Sequence, residues 1–390
     1  MESIIQDVME REVGKDAGRN VYDKGVAQQF SNDEDAELAE IVARIPRKIK
    51  VVGAGGAGCN TIVRLKDIGI DSAAETTKTE MISVNTDAQD LLCKRADKKL
   101  LIGKNITHGL GAGNDPDVGE KCAKEDFDKI KNALEGANMV FLAGGLGGGT
   151  GTGSLPVIAE IAKNEIKALT IAVVTIPFKH EGTVRALNAL GGLKKLRKAA
   201  DTVIVIPNDR LMDMVPHLPL NRAFAFADEI LANAVKGITE MITKDGLVNL
   251  DFADLRAVMT QGKTAVIGFG EAAGQTDSGE RSIKSVESAI KSPLIDADIS
   301  NANRALINII GGPDMTLEEA QDAVKLVSES ISPGAQIIWG AQIDDKGDRN
   351  TIRTLLVITG VETIPFEEEL EMRSETKMRK TLGQHIGKEI

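Results

Sequence analysis

The chain has 390 residues, more than one ordinary domain accommodates, so two or three domains are expected. Because 42% of the residues are hydrophobic and only 3% are aromatic, the core must be aliphatic, which is typical of layered α/β proteins. The formal net charge of −11 argues against duplex DNA or RNA as the main partner, because phosphate neutralisation needs a basic surface.

Strands and helices are predicted to alternate along the first half of the chain. After a polar, acidic leader, strands are predicted at 48–53, 80–85, 139–143, 169–177 and 202–207, with helices between them. This alternation predicts a parallel, doubly wound sheet, in which ligands bind outside the carboxyl ends of the strands. A long helical stretch, Arg222–Thr243, precedes a second set of strands and helices, and we interpret it as the junction between two domains.

Three glycine-rich segments lie among these elements. Gly53–Gly58 satisfies the pattern G-x-G-x-x-G, the second segment, Gly144–Gly153, contains two threonines, and the third is Gly109–Gly113. Such segments bring backbone N–H groups and hydroxyls close to a phosphate, and a following helix adds its positive end. The three segments together predict an extended triphosphate site.

Two other nucleotide-binding motifs fit the chain less well. No lysine accompanies the second segment, and Ala257 stands where a Walker loop ending at 262–264 needs its first glycine, so a P-loop is excluded. A dinucleotide-dependent oxidoreductase needs an acidic residue about 20 residues after the first segment. The second strand instead ends at Asn85-Thr86-Asp87, farther along the chain. The Gly53–Gly58 pattern keeps an NAD-dependent oxidoreductase as an alternative.

Two carboxylates follow the long helix in the segment Asn249–Asp254. If the segment is helical, Asp251 and Asp254 lie on one face and can polarise a water molecule. The alternative is structural, with Asn249 or Asp251 capping a helix and Asp254 in its first turn. Spacing by itself favours the cap.

Several ordered motifs resemble one known family. The segment GGGTGTG at Gly147–Gly153 is the signature of the tubulin/FtsZ superfamily. Further matches are GAGGAGCN at 53–60, NTDAQ at 85–89, GLGAGNDP at 109–116, IPND at 206–209 and NLDFAD at 249–254. The chain resembles the FtsZ branch, the prokaryotic cell-division GTPases, and its archaeal members more than its bacterial ones. The resemblance covers about residues 47–362.

The resemblance implies a doubly wound, mostly parallel GTP-binding sheet, a long central helix and a second, smaller α/β domain. The implied organisation is an acidic N-terminal extension (1–46), a GTP-binding domain (47–221), the central helix (222–245), a catalytic loop and connection (246–264), a C-terminal α/β domain (265–362) and a charged tail (363–390).

The resemblance also implies roles for individual residues. The phosphate cradle is expected to be Gly55, Gly56, Gly58, Gly147, Gly148, Gly149, Thr150, Gly151, Thr152 and Gly153. The remaining nucleotide contacts are expected to be Ala112 and Gly113 at the γ-phosphate, Glu181 and Arg185 at the ribose and phosphate edge, Asn85, the guanine readers Asn60, Asn208 and Asp228, and Phe224 stacked on the base. A carboxylate such as Asp228 accepts hydrogen bonds from guanine N1–H and its exocyclic amine, a paired donor edge that adenine lacks.

For the segment 249–254, the resemblance reverses the interpretation from spacing. In the family this loop enters the nucleotide pocket of the neighbouring subunit, so Asp251, Asp254 and Asn249 are expected to be catalytic and the site to be completed by assembly. Mg²⁺ on the phosphates is expected to neutralise developing charge, and no dedicated protein ligands for a metal are predicted.

The expected function is binding of GTP or GDP, assembly-dependent GTP hydrolysis and head-to-tail polymerisation for cell division. A cytoskeletal GTPase with another role is the alternative. Three scattered cysteines, no signal-peptide pattern and no apolar run of membrane length predict a cytoplasmic protein, and cell division predicts the mid-cell site. Partners beyond the chain itself would be division or membrane-anchor proteins at the termini, with no nucleic acid and no direct membrane insertion.

Overall fold

The computed structural model describes most of the chain between residues 47 and 361. The described residues are 47–69, 77–214, 220–244, 246–248, 250–260, 263–274, 280–344, 350–361, 365 and 368. The predicted acidic extension, Asn249, and the predicted tail apart from 365 and 368 lie outside this set.

Strands and helices alternate in the first part of the fold. The strands are β1 (Arg47–Ala54), β2 (Thr77–Asn85), β3 (Lys98–Leu101), β4 (Met139–Gly145), β5 (Leu169–Ile176) and β6 (Thr202–Pro207). The helices are α1 (Gly55–Ile68), α2 (Ala88–Cys93), α3 (Lys104–Thr107), α4 (Pro116–Glu125), α5 (Phe127–Leu134), α6 (Thr150–Glu160), α7 (Thr183–Ala199) and α8 (Asn208–Met214). A π-helical turn, Ile161–Glu165, continues α6, and a 3₁₀ turn, Lys179–Glu181, precedes α7.

These strands form a parallel sheet in the order β3-β2-β1-β4-β5-β6. β1 lies between β2 and β4, with Gly53 opposite Ser83 on one side and Ala143 on the other, so the carboxyl ends of the three strands share one edge. Every residue of β5, LTIAVVTI, is buried. A continuous apolar strand is typical of a parallel sheet covered on both faces, and the predicted doubly wound, mostly parallel sheet is confirmed.

The second part of the fold begins with a long helix. Its elements are α9 (Leu220–Thr243), α10 (Phe252–Met259), β7 (Lys263–Ala273), α11 (Glu280–Ile290), β8 (Arg304–Gly311), α12 (Leu317–Ser330), β9 (Gln336–Ile343) and β10 (Thr351–Thr359). The strand order is β7-β10-β8-β9, with β10 antiparallel to both neighbours and β8 parallel to β9. β7 pairs in parallel with β6 over three residues, so one sheet runs through both parts.

Side chains that alternate along the strands fill two cores on opposite faces of the parallel sheet. Val52 belongs to the core beneath α4, α5, α6 and α7. Val51 belongs to the other core, which also contains Val235 of α9 and Val357 of β10. The long helix therefore packs against strands of both parts and joins them.

No helix in the ranges given above combines the length and the apolar composition that crossing a membrane requires.

Candidate functional site

Two helix N-termini open at the carboxyl edge of the sheet. α1 follows β1 directly, α6 follows β4 after a short loop, and β1 and β4 are neighbours. Neither N-cap residue, Ala54 for α1 and Gly149 for α6, makes a side-chain capping hydrogen bond. The first backbone N–H groups of both helices therefore have no side-chain acceptor at the cap, an arrangement that favours phosphate binding.

Some of the predicted cradle glycines allow close packing, and one faces open space. A Cβ on Gly58 would lie 2.4 Å from the carbonyl oxygen of Ala143, and one on Gly153 would lie 2.1 Å from a backbone oxygen at the start of α4. Gly55 has a φ of +72°, a left-handed conformation that favours glycine. Nothing lies within 4 Å of the Cβ position of Gly148. Closely packed glycines thus flank Gly148, which borders open space.

The other predicted glycines of these two segments lie around the same edge. Gly56 is exposed, and its Cβ position is 3.9 Å from the Asp90 carboxylate. A Cβ on Gly147 would lie 3.1 Å from a backbone oxygen of α7. One on Gly149 would lie 2.8 Å from a backbone nitrogen just after the third glycine segment, and one on Gly151 would lie 2.7 Å from a backbone oxygen at the end of β4. These residues hold the loops against one another.

The two predicted threonine hydroxyls are engaged within the protein. The Oγ1 atoms of Thr150 and Thr86 are 2.6 Å apart and share a hydrogen bond. Thr152 is buried, and its Oγ1 accepts a hydrogen bond from the Gly147 N–H at 2.8 Å. Thr152 therefore shapes the glycine loop from within.

The third glycine segment follows α3 rather than a strand and joins the same edge. Its Gly111 N–H donates to the carbonyl oxygen of Thr86 at 3.2 Å. Ala112 is buried, whereas Gly113 is exposed with a φ of +59° and nothing within 4 Å of its Cβ position. Gly113 therefore also borders open space.

Asn188 is a residue that sequence reasoning missed. From the middle of α7 its Nδ2 donates to the carbonyl oxygens of Asn114 at 3.1 Å and Gly147 at 3.3 Å. Asn188 thus ties the second and third glycine loops together. It belongs to none of the recognised motifs, so its role depends on tertiary packing.

Glu181 and Arg185 lie beside the second glycine loop. Glu181 Oε1 accepts from the Phe178 N–H at 2.9 Å, and the other carboxylate oxygen forms an ion pair with Arg185. The backbone oxygen of Arg185 is the atom 3.1 Å from the Cβ position of Gly147. The pair is therefore placed at the rim of the predicted phosphate cradle.

Asp228 and Asn60 meet where α9 passes α1. Burial raises the pKa of Asp228 to about 6, although a hydrogen bond from Asn60 and the positive charges of Lys94 and Arg64 oppose the rise. A partly buried carboxylate with an amide neighbour suits a ligand edge that donates two hydrogen bonds, as guanine does.

Asn208 and Phe224 offer further groups to a base. Asn208 begins α8 directly after β6 and is buried, and its Oδ1 has no hydrogen-bond partner among the described residues. Phe224, one helical turn before Asp228, is 43% exposed and packs edge-to-face on Phe178 with ring centroids 5.5 Å apart. A buried orphan oxygen and an exposed aromatic ring fit a planar ligand that donates hydrogen bonds.

Asn85 and Asp87 organise the turn after β2. Asn85 Oδ1 accepts from the Thr86 N–H at 2.9 Å and from the Asp87 N–H at 3.3 Å. Asp87 caps α2 by accepting from the backbone N–H groups of Gln89 and Asp90. The acidic residue that a dinucleotide site would direct at a ribose is thus used as a helix cap.

Asp251 and Asp254 form the helix cap that their spacing indicated. Asp251 is the N-cap of α10, its Oδ1 accepts from the Asp254 N–H at 2.7 Å, and both residues are exposed. The capping bond occupies one carboxylate oxygen of Asp251 and only the backbone of Asp254. Both side chains therefore remain accessible.

This pair lies at the opposite end of the molecule from the glycine loops. α9 runs parallel to α1, because Arg64 pairs with Glu229 at 2.8 Å and Lys236 Nζ donates to the carbonyl oxygen of Ile68 at 3.0 Å. From Asp228 to its end, α9 extends about 22 Å at about 1.5 Å per residue. The last turn of α10 then contacts the first residue of β6, at the amino edge of the sheet. The fold therefore holds the two carboxylates away from the glycine loops of the same chain.

Within the described ranges, no group of three or more His, Cys, Asp or Glu side chains is arranged to hold a metal ion.

Known families match both parts of the chain. The sequence model of the Tubulin/FtsZ family, GTPase domain, matches residues 48–216, and that of the FtsZ family, C-terminal domain, matches residues 263–362. The cell division protein FtsZ of Methanothermobacter thermautotrophicus is 56% identical over 339 residues, which cover 87% of this chain and 86% of that protein.

Solved structures agree with these matches. An FtsZ dimer from M. jannaschii, described as empty, is 52% identical with a TM-score of 0.76 and covers 84% of this chain and 92% of that chain. A GTPγS-bound protofilament of CetZ2 from Haloferax volcanii is 23% identical with a TM-score of 0.75, covers 86% of this chain and 99% of that chain, and shares the fold. The chain therefore belongs to the FtsZ family of cell-division GTPases within the tubulin/FtsZ superfamily.

Proposed function

We propose that the chain binds GTP across its three glycine loops and hydrolyses it at a site that a second copy completes. The observation that carries the proposal is the separation of the two groups of residues. The phosphate loops follow the carboxyl ends of β1 and β4, whereas Asp251 and Asp254 lie beyond the far end of α9. Head-to-tail stacking of two copies brings the carboxylates of one to the loops of the other.

Nucleotide binding is assigned to the carboxyl edge of the parallel sheet. The open N–H groups at the starts of α1 and α6 hold the phosphates, and the open space at Gly148 and Gly113 admits them. The guanine edge exchanges hydrogen bonds with Asn60, Asp228 and Asn208, and Phe224 stacks on the base. Mg²⁺ bound with the nucleotide supplies charge neutralisation on the phosphates.

Hydrolysis is assigned to the carboxylates of the neighbouring copy. Asp251 retains one oxygen outside its capping bond, and Asp254 retains its whole carboxylate, so both can orient the attacking water. Asn249, outside the described residues, belongs to the same loop. The catalytic power lies in positioning, because the water and the γ-phosphate meet only when two copies are in register.

The comparisons support self-association and a role in cell division. A 52% identical relative is described as a dimer, and the sequence relatives are named cell division proteins. We place the protein in the cytoplasm at the mid-cell division site, with division or membrane-anchor proteins at its termini. A fluorescent fusion spread evenly through dividing cells would contradict this placement.

The domain boundaries are part of the same proposal. We assign residues 47–221 to the GTP-binding domain, 222–245 to the central helix, 246–264 to the catalytic loop and 265–362 to the C-terminal domain. The family matches to 48–216 and 263–362 support this division. The acidic extension (1–46) and the charged tail (363–390) flank the matched regions.

Mixing two inactive variants tests the shared site. Asp254→Ala keeps the pocket and loses the donated carboxylate, whereas Asp228→Ala keeps the carboxylate and loses guanine binding. Each variant alone should release little phosphate from GTP, and a mixture should regain part of the wild-type rate, because some interfaces combine an intact pocket with an intact carboxylate.

The double variant Asp228→Ala/Asp254→Ala is the matched control, since it should restore neither partner. Folding is checked by circular dichroism, and binding by the Asp254→Ala variant is checked by calorimetry with GTP. A mixture that stays inactive at every ratio, although both variants are folded and Asp254→Ala binds GTP, would contradict the shared site.

A further inference from the structure

A chain of hydrogen bonds connects α2 to the guanine end of the site. Lys94 Nζ donates to Asn60 Oδ1 at 2.6 Å and lies 3.3 Å from Asp90 Oδ1. The other oxygen of Asp90 accepts from Asn85 Nδ2 at 2.8 Å. Lys94 is the C-cap residue of α2, and its N–H bonds to the carbonyl oxygen of Leu91. The helix end thus fixes the Lys94 backbone, and the Asp90 carboxylate pairs with its ammonium group.

The ammonium group determines which way the Asn60 carboxamide faces. A carboxamide has one oxygen acceptor and one NH₂ donor, and an ammonium group can only donate. Because Asn60 Oδ1 accepts from Lys94, its NH₂ group is the part left to face Asp228, whose pKa Asn60 lowers. The flipped carboxamide would set two donors against each other at Lys94 and an oxygen against the Asp228 carboxylate.

We propose that Lys94 is a positioning residue for guanine recognition, which orients the Asn60 carboxamide and through it presents the Asp228 carboxylate to the base. The inference rests on the proposed nucleotide site and names a residue outside the motifs that suggested it. Lys94 itself contacts Asn60 and Asp90, so its effect on the nucleotide passes through Asn60 and Asp228.

The charges around Asp228 give this role a pH signature. Lys94 and Arg64 face Asp228 with positive charge, Arg64 is paired with Glu229, and Lys94 is paired with Asp90. Asp228 must be ionised to accept from guanine N1–H and the exocyclic amine. Burial raises its pKa to about 6, and Lys94 opposes this rise. Removing the lysine charge therefore raises the pKa of Asp228 further. In a titration from high to low pH, guanine binding is then lost at a higher pH than in the wild type.

The test compares GDP binding by Lys94→Met with that of the wild-type chain. Calorimetry on the nucleotide-free full-length proteins is carried out from below pH 6 to above pH 8. The matched control is Lys99→Met, which removes an exposed lysine whose Nζ donates to a backbone oxygen of α2 at 2.8 Å. IDP, which lacks the exocyclic amine, is measured in parallel because the preference for GDP over IDP reports the alignment of Asp228.

For Lys94→Met we expect about tenfold weaker GDP binding at pH 7, a higher midpoint pH for loss of binding, and a smaller preference for GDP over IDP. Lys99→Met should match the wild type. An unchanged or lower midpoint overturns the proposal even if affinity falls, because a purely structural lysine would weaken binding equally at every pH. If Lys94→Met unfolds, Lys94→Gln replaces it. A wild-type chain that binds no GDP would instead refute the proposed function.

Discussion

At the scale of the residue, Asp251 combines a structural contact with the catalytic role proposed for it. Its Oδ1 caps α10 by accepting from the Asp254 N–H, and the exposed side chain keeps a second oxygen for water. The two interpretations that spacing left open are therefore compatible. The cap also orients the carboxylate, because an N-cap side chain is held against the first turn of its helix.

Substitutions can separate these two tasks. Asp254→Ala should bind GTP normally, because the residue is remote from its own pocket, and should lose at least about 100-fold in turnover. Asp251→Ala should lose turnover and also about 1 kcal/mol of unfolding free energy with the cap, whereas Asp251→Ser should lose turnover and keep the stability. Phosphate release and urea denaturation measure the two effects. Normal turnover in Asp254→Ala or Asp251→Ser removes that residue from the mechanism.

At the scale of the element, the sequence predicted the long strands and helices and missed short ones. β3, α2, α3 and α8 were not predicted, because such short segments contain too few apolar positions to show a period. The glycine segments were predicted as loops, but α1 begins at Gly55 and α6 at Thr150, inside them. Tertiary packing overrides the low helix propensity of glycine there.

Substitution by alanine should have different effects at two glycines of the site. Gly58→Ala places a Cβ 2.4 Å from the backbone oxygen of Ala143 and should cost about 1–3 kcal/mol of unfolding free energy. Gly148→Ala meets nothing within 4 Å, so it should keep the stability and weaken GTP binding by occupying the space for phosphate. Chemical denaturation and GTP titration measure the two quantities. Equal losses of stability in both variants would show that the open space at Gly148 is not there.

A buried ion pair joins the starts of α11 and α12. Arg281 is fully buried, with its Nε 2.6 Å from Glu319 Oε1 and its Nη1 2.7 Å from Asp314 Oδ2. Burial raises the pKa of Glu319, but hydrogen bonds from Arg281 and the Thr316 N–H outweigh it, so the pKa is lowered. A carboxyl with a lowered folded-state pKa stabilises the fold above the unfolded value of about 4.3 and loses that contribution as the pH falls below it.

Glu319→Gln should therefore destabilise the protein at neutral pH by about 3 kcal/mol, since it leaves the buried Arg281 with an incomplete partner. The variant and the wild type should converge in stability as the pH falls below about 4. Urea denaturation at neutral and acidic pH measures both. The neighbouring surface pair offers the control, because Lys284→Gln removes an exposed partner of Glu280 and should change little. A difference between Glu319→Gln and wild type that does not depend on pH would contradict the assignment.

At the scale of the whole molecule, the proposed shared site makes hydrolysis a property of the assembly, because α9 separates the two carboxylates from the glycine loops of the same copy. GTP turnover per molecule should be near zero in dilute solution and should rise above a threshold protein concentration, because each site needs two copies. Phosphate release across a dilution series, with light scattering on the same samples, measures this. Asp254→Ala at the same concentrations is the control, since it should scatter light with GTP and release little phosphate. Turnover per molecule that is constant on dilution would show that one copy suffices.

The sequence by itself determined the doubly wound parallel sheet, the long helix between two parts and the glycine segments of the proposed phosphate site. These features depend on local composition and on periods that repeat over many residues. Only the tertiary structure placed Asn188 between two glycine loops, buried the Thr152 hydroxyl inside one of them, and brought Lys94 to Asn60. Such contacts join residues far apart in the chain, so they depend on how the strands and helices pack and leave no local pattern to detect. The same reason applies to the separation of Asp251 from the phosphate loops, which follows from the direction of α9 across the sheet.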